Sequence, residues 1–236
     1  MASSRAILCI HGSGSSPLIF RFQISSFGIA MKNEFDFVFA TGPHEARAGP
    51  EVLPFFKGMD PYFTWFRDEA EATENKIEAF NASIRSVTDA WATTHPESSI
   101  VGVLGFSQGA LAATLLLWQQ QAGKIPWLPR LRFGILICSG YNYEATEYMR
   151  QQSGPTASGD GDGDANILIK VPTIHLLGRQ DWALRYSKMM LAIHYSSHHA
   201  TAIEFEGRHE CPRQQDIIRK VVDHVRSSLG TDVTPA

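Results

Sequence analysis

The most constraining stretch of this sequence is Gly105-Phe106-Ser107-Gln108-Gly109, set between an apolar run at 99–104 and an Ala/Leu-rich run at 108–121. A serine at a sharp strand-to-helix turn is held in a strained backbone geometry, and the flanking glycines let strand and helix pass close together. Its Oγ then projects above the sheet, and the helix N-terminus favours negative charge developing nearby. A five-residue G-x-S-x-G match also arises by chance. The strand before it and the helix after it are what make it read as a nucleophile turn.

The rest of the chain repeats that alternation. Short apolar runs at 6–10, 35–40, 99–104, 133–138, 173–177 and 202–205 are separated by helix-like stretches at 17–31, 69–94, 108–121, 183–195 and 213–229. Nearly continuous apolar runs suit strands buried on both faces of a parallel sheet. Alternating strand and helix predicts right-handed crossovers and a doubly wound, mainly parallel α/β sheet of about six strands flanked by helices. At 236 residues, the chain is expected to form one such domain, residues 1–236.

A serine hydroxyl is a weak nucleophile and needs a base, which in turn needs an orienting carboxylate. In this kind of sheet the partners follow in the order serine, acid, histidine. The run at 173–177 leads into Gly178-Arg179-Gln180-Asp181, and the run at 202–205 into Glu206-Gly207-Arg208-His209. Asp181 and His209 are therefore expected beside Ser107, at the carboxyl edge of the sheet. Asp181 also reads as a helix N-cap, since Trp182-Ala183-Leu184 opens a helix. His175 lies within a strand and reads as core; His194, His198 and His199 read as solvated. Asp216 follows His209, the wrong order for the acid.

Cys9-Ile10-His11-Gly12-Ser13-Gly14 follows the first strand. A glycine-rich loop there supplies one oxyanion-hole N–H, and the residue after the nucleophile supplies the other, which points to the backbone of Ser13 and Gln108. His11 reads as a brace for this loop. A third glycine at dinucleotide-binding spacing is missing.

Composition narrows the class. A net charge of -3 with interspersed signs gives no basic field, so nucleic acid is not an expected partner. The three cysteines, Cys9, Cys138 and Cys211, cannot all pair and have no C-x-x-C spacing, which suits a reduced intracellular protein. The apolar part of the N-terminus is too short for a signal peptide or a membrane span, so a cytoplasmic protein without membrane contact is expected. No metal constellation stands out, and serine–histidine–acid chemistry requires no cofactor.

Two segments break the alternation. The stretch 41–66 is rich in Gly, Pro and aromatic residues and should emerge at the carboxyl edge, where such sheets bind ligands. Its aromatics either pack into the core or wall a pocket, with Phe63, Trp65 and Phe66 as candidate substrate contacts. The polar stretch 153–166 reads as a flexible surface loop. Its aspartates lack the spacing and closing glutamate of an EF-hand calcium loop.

The landmarks LCIHGSGSSPLIFRFQ, GPEVLPFF, DPYFTWF, GFSQGALAATLLLWQQQAGKIPWLPRLRF, EYMR, PTIHLLGRQDWALRYSKMM and FEGRHECPR together resemble the fungal serine hydrolase (FSH) family over essentially the whole chain. That resemblance implies a compact α/β-hydrolase fold. Within the family it is closest to stand-alone thioesterases of fungal polyketide clusters. It implies hydrolysis of an acyl thioester carried by an acyl carrier protein domain of a polyketide synthase. Arg179, Arg208 and Arg213 are then candidates for a basic docking rim, whereas Lys124, Arg130 and Arg132 fall at the opposite edge. A carboxylesterase acting on small soluble esters, a non-catalytic scaffold and a cyclase are the alternative expectations.

Overall fold

A computed structural model of the chain describes residues 4–67, 72–153 and 167–230. Six parallel strands form the central sheet: β1 (Arg5–Ile10), β2 (Asp36–Ala40), β5 (Ser99–Phe106), β6 (Phe133–Ile137), β7 (Thr173–Gly178) and β8 (Ala200–Phe205), in the order β2-β1-β5-β6-β7-β8. The order runs outward from β1 in both directions, the doubly wound topology expected from the alternating pattern. The central strands β1, β5, β6 and β7 are buried almost end to end, which accounts for their unbroken apolar runs. The edge strand β8 buries only Phe205, and its polar residues Thr201 and Glu204 are exposed.

Helices cover both faces. On one, α1 (Pro17–Gln23), α2 (Ser25–Met31) and α7 (Gln215–Leu229) enclose a core that includes Phe20, Phe27, Phe133 and Val221. On the other, α3 (Thr73–Thr94), α4 (Gln108–Gln121), α5 (Tyr143–Ser153) and α6 (Leu184–His194) surround a core that includes Trp65, Phe80, Leu116, Trp118 and Met190. The helix α7 carries its apolar residues at Ile217, Ile218, Val221, Val222, Val225 and Leu229, a single helical stripe against the sheet. The helix α4 differs: every residue from Gly109 to Gln119 is buried, so it has no polar face.

Three expectations change. The stretch 17–31 forms two helices that turn at Ile24, because α1 and α2 each bury their own aromatic against the sheet. The helix α5 lies where no helix is expected. It buries only Ala145, Thr146 and Met149 of its eleven residues, too few to leave an apolar stripe in the sequence. His194, expected to be solvated, is fully buried, and its Nε2 lies 2.9 Å from Thr146 Oγ1. The start of the expected helix at 69 and most of the loop expected at 153–166 lie outside the described residues.

The aromatic stretch 41–66 is not one irregular loop. It contains β3 (His44–Ala46) and β4 (Tyr62–Thr64), paired antiparallel as a second small sheet. Phe63 of β4 also bridges Ser15, which ties this sheet to the glycine-rich loop after β1.

Candidate active site

The carboxyl ends of β1, β5, β7 and β8 converge on one point. Ser107 ends β5 with φ 54° and ψ −119°, the strained turn that the G-x-S-x-G pattern implies. Both flanking glycines are required by contact: a Cβ on Gly105 would lie 2.3 Å from Gly109 O, and one on Gly109 would lie 2.1 Å from Ile10 O. Any side chain at these positions would push α4 off the sheet.

His209 Nε2 lies 2.8 Å from Ser107 Oγ, and His209 Nδ1 lies 2.8 Å from Asp181 Oδ1. The three sequence-expected residues thus form one hydrogen-bonded chain, with His209 and Asp181 buried and Ser107 half-buried. Backbone bonds fix the loops that bring them together. Arg179 N–H donates to Phe205 O (3.0 Å) and Gln180 N–H to Gly207 O (2.9 Å), which laces the turn after β7 to the turn after β8.

Asp181 is not the helix N-cap that its sequence position also suggests, because α6 begins at Leu184 with Ala183 as its N-cap and no side-chain cap bond. Asp181 Oδ1 accepts from Ala183 N–H at 2.6 Å, a local turn bond, as well as facing His209. Burial alone would raise its pKa. The hydrogen bonds from His209 and Ala183 outweigh that and hold it below the usual carboxylate value. Its Oδ2 is buried with no N–H or O–H donor among the described residues, and the Cys138 thiol lies beside the carboxylate.

Among the described residues, Cys138, Asp181 and His209 form the one cluster with metal-ligand spacing, their donor atoms all lying within 4.8 Å. Both imidazole nitrogens are already engaged by Ser107 and Asp181. Burial and the neighbouring Asp181 carboxylate hold the Cys138 thiol protonated, far above its ordinary range. The cluster is therefore poorly suited to a metal ion, which needs a thiolate and a free imidazole nitrogen.

The glycine-rich loop approaches from the β1 side. A Cβ built on Gly12 would lie 3.4 Å from Ser107 Cβ, so this backbone runs directly past the serine. His11 braces it, as expected: Nε2 accepts from Gly42 N–H at 3.1 Å and Nδ1 lies 2.7 Å from Gly12 O. Burial lowers the His11 pKa to about 4, so the ring is neutral near pH 7. Ser13 Oγ lies 2.9 Å from Thr64 Oγ1.

The sequence marks Gln108 only for its backbone, yet its side chain is a clamp. Gln108 Oε1 accepts from Thr64 Oγ1 (2.7 Å) and Trp65 N–H (2.8 Å), while Nε2 donates to Phe66 O (3.0 Å). The residue after the serine therefore grips the end of the aromatic segment. The three aromatics singled out in the sequence diverge. Trp65 is fully buried, with Nε1–H donating to His11 O at 2.7 Å, and it packs on Phe80. Phe63 is half-buried in the small sheet. Phe66, with Gln108, lines a cavity of about 280 Å³ between α3, α4 and α5.

Over the histidine lies Trp182. It is 67% exposed, its ring centroid sits 4.8 Å from that of His209, and its Nε1–H donates to Glu51 Oε1 at 3.0 Å. The candidate rim residues Arg208 and Arg213 are exposed on the same edge. Arg179 is paired with Glu204 and Glu206, which offsets its charge.

A doubly wound parallel sheet with a strained serine after its third strand, and with histidine and acid on later strand ends, defines an α/β-hydrolase. The chain belongs to the serine hydrolase (FSH1) family, whose profile matches residues 1–221. It is 42% identical to the dihydromonacolin L-[lovastatin nonaketide synthase] thioesterase of Aspergillus terreus, over 98% of this chain and 94% of that protein. It is 43% identical to esterase mlcF of Penicillium citrinum, over 92% of this chain and 87% of the relative. Among solved structures, Zea mays acyl-protein thioesterase 2 shares the fold with a TM-score of 0.58 at 16% identity, covering 96% of each chain. Among the described residues, no helix is long and apolar enough to cross a membrane.

Proposed function

We propose that this serine hydrolase releases an acyl chain, held as a thioester on an acyl carrier protein of a polyketide synthase, as the free acid. The observation that carries the reading is the hydrogen-bonded chain Ser107–His209–Asp181 at the carboxyl edge of the sheet. The thioesterase name of a relative at 42% identity supports the thioester as the bond cleaved.

In this reading His209 Nε2 takes the Ser107 hydroxyl proton as Oγ bonds to the thioester carbonyl carbon. The backbone N–H groups of Ser13 and Gln108 stabilise the oxyanion, a contribution of roughly 3–4 kcal/mol per donor in well-studied hydrolases. The C–S bond then breaks, and the sulfur leaves as a thiol with the proton from His209. Water gives a proton to the same nitrogen as its oxygen attacks the acyl-serine. The C–Oγ bond breaks, Oγ regains a proton, and a carboxylic acid departs. Asp181 keeps the imidazole in the required tautomer and stabilises the imidazolium. Phe66 walls the acyl site, and no cofactor takes part.

Esterase names among the relatives favour a second reading, cleavage of small oxygen esters by the same residues. Matched acyl thioesters and oxygen esters, incubated with the protein and with Ser107→Ala and followed by mass spectrometry, separate the two. Faster serine-dependent thioester cleavage is the expected result. Faster oxygen-ester cleavage would favour the esterase, and activity that persists in Ser107→Ala would remove the serine from the mechanism.

A further inference from the structure

The cavity behind Gln108 has two unlike walls. Its floor is apolar, formed by Ile77 of α3 and by Leu111 and Leu115 of α4. Its other wall carries Lys76 and, at the start of α5, Asn142 and Glu144. Lys76 is only 7% exposed, although it belongs to the side-chain type least often buried. Its ion-pair partner among the described residues is Glu144 Oε2 at 3.5 Å, and the Glu144 side chain is itself 64% exposed.

That arrangement is a poor structural device. Burying an ammonium costs several kcal/mol, and an apolar side chain of the same length in its place is often neutral or stabilising. A separation of 3.5 Å is well beyond the 2.7–2.9 Å of a strong charge-assisted hydrogen bond, and an ammonium has three donors. Asn142 adds to the same wall. Its Oδ1 is committed to Ala145 N–H at 2.8 Å, which leaves its amide N–H groups as donors. The wall is thus rich in donors, and Arg67 lines the same cavity as Lys76 and Glu144. A carboxylate entering here would meet Glu144 as well as the two cations; a neutral oxygen would accept from Lys76 and Asn142 without bringing a further charge beside Glu144.

We propose that this cavity binds the acyl chain beyond the reacting carbonyl and selects chains that are mainly hydrocarbon but carry a hydroxyl or ketone oxygen, read by Lys76 with Asn142. The inference rests on the reading of Ser107 as the nucleophile, because Gln108, the next residue, lines the cavity. Ile77, Leu111 and Leu115 take the hydrocarbon, and Phe66 closes the end near the serine. An unmet donor penalises the plain chain, as in sites that reject substrates lacking a required hydroxyl.

The test uses N-acetylcysteamine thioesters of acetate, of octanoate, of octanoates hydroxylated at successive carbons, and of an octanoate ending in a second carboxyl group. For the wild-type protein, one hydroxylated isomer should exceed plain octanoate about tenfold in kcat/KM, mostly through KM. In Lys76→Met that ratio should collapse towards unity. In Leu115→Trp, which fills the floor, the ratio of octanoyl to acetyl turnover should fall at least tenfold. Each readout is a ratio within one variant, so partial loss of folded protein cancels. The proposal is overturned if no hydroxylated isomer is preferred, if the preference survives in Lys76→Met, or if the carboxylated chain outranks all others. If wild-type protein cleaves only the corresponding oxygen esters, the thioesterase reading fails, and the same ratios on esters still decide for or against the cavity.

Discussion

The ends of β5 and β6 are neighbours with the same unusual backbone. Ser107 has φ 54° and Cys138 has φ 47°, the two positive values outside glycine among the described residues. Each also donates its N–H to the next strand over, Ser107 to Ile137 O and Cys138 to Leu176 O. Such a conformation costs about 1–3 kcal/mol at each position. Yet one residue presents a hydroxyl to His209, while the other buries a thiol against the carbonyls of Arg208 and Glu210, at 3.8 and 3.6 Å. The strained turn alone does not make a nucleophile. What separates the two is the neighbouring chemistry: a base within reach of Ser107, and for Cys138 a dry pocket and a carboxylate that keep the thiol protonated.

The largest contrast between the two ends should be catalytic. Ser107→Ala is expected to lower kcat by a factor on the order of a million, and Cys138→Ala by less than about tenfold. Single-turnover acid release measures both. A comparable loss in the two variants would mean that the thiol takes part in the chemistry.

A smaller contrast lies in the glycines that follow. Gly109→Ala forces a Cβ to within 2.1 Å of Ile10 O and should cost about 3 kcal/mol in urea unfolding. A Cβ on Gly140, after the end of β6, meets nothing within 4 Å, so Gly140→Ala should change stability by less than about 0.5 kcal/mol. Equal costs would show that the close approach of α4 is not what constrains the β5 end.

The smallest effect sharpens the role of the thiol. Asp181 has a depressed pKa in the folded state, so its contribution to stability is present above the ordinary carboxylate range. That contribution is lost as pH falls through the folded value. The Cys138 thiol is one of the groups lowering that pKa. Cys138→Ala should therefore raise it, so the acid limb of stability against pH, whose onset the unfolded carboxylate sets, should end at a higher pH and span a smaller loss than in wild type. Urea midpoints measured between pH 3 and 6 would show the displacement. An unmoved limb would make the thiol mere filler.

Much of this site was legible because each part follows a strand. Ser107, Asp181 and His209 stand at the ends of apolar runs, in the order the topology requires, and a strand end is where sequence and geometry coincide. Lys76 was not legible, since a buried lysine on a helix has the same spacing as a solvated one until the cavity is seen. The grip of Gln108 on Thr64, Trp65 and Phe66 spans more than forty residues, a separation that no local pattern reports. Phe63, Trp65 and Phe66 are adjacent and similar in the sequence. Their different fates follow from β4, which points one into the small sheet, and from the indole N–H of another, which finds His11 O in the core. The helix α5 went unread because its mostly polar surface hides the three residues that hold it down.

Trp182 gives the molecule a built-in optical reporter. Its indole is the most exposed of the five tryptophans, since Trp65 and Trp118 are sealed in the core and Trp91 and Trp127 are half-buried, and its ring rests 4.8 Å from the histidine. An imidazole that changes charge at that distance alters the light emitted by the indole. Trp91 and Trp127 are also partly within reach of solvent, so the difference between the wild-type protein and Trp182→Phe isolates that signal. In the proposed mechanism His209 gains and loses a proton in each turnover, and Trp182 offers a way to follow that step without adding a label.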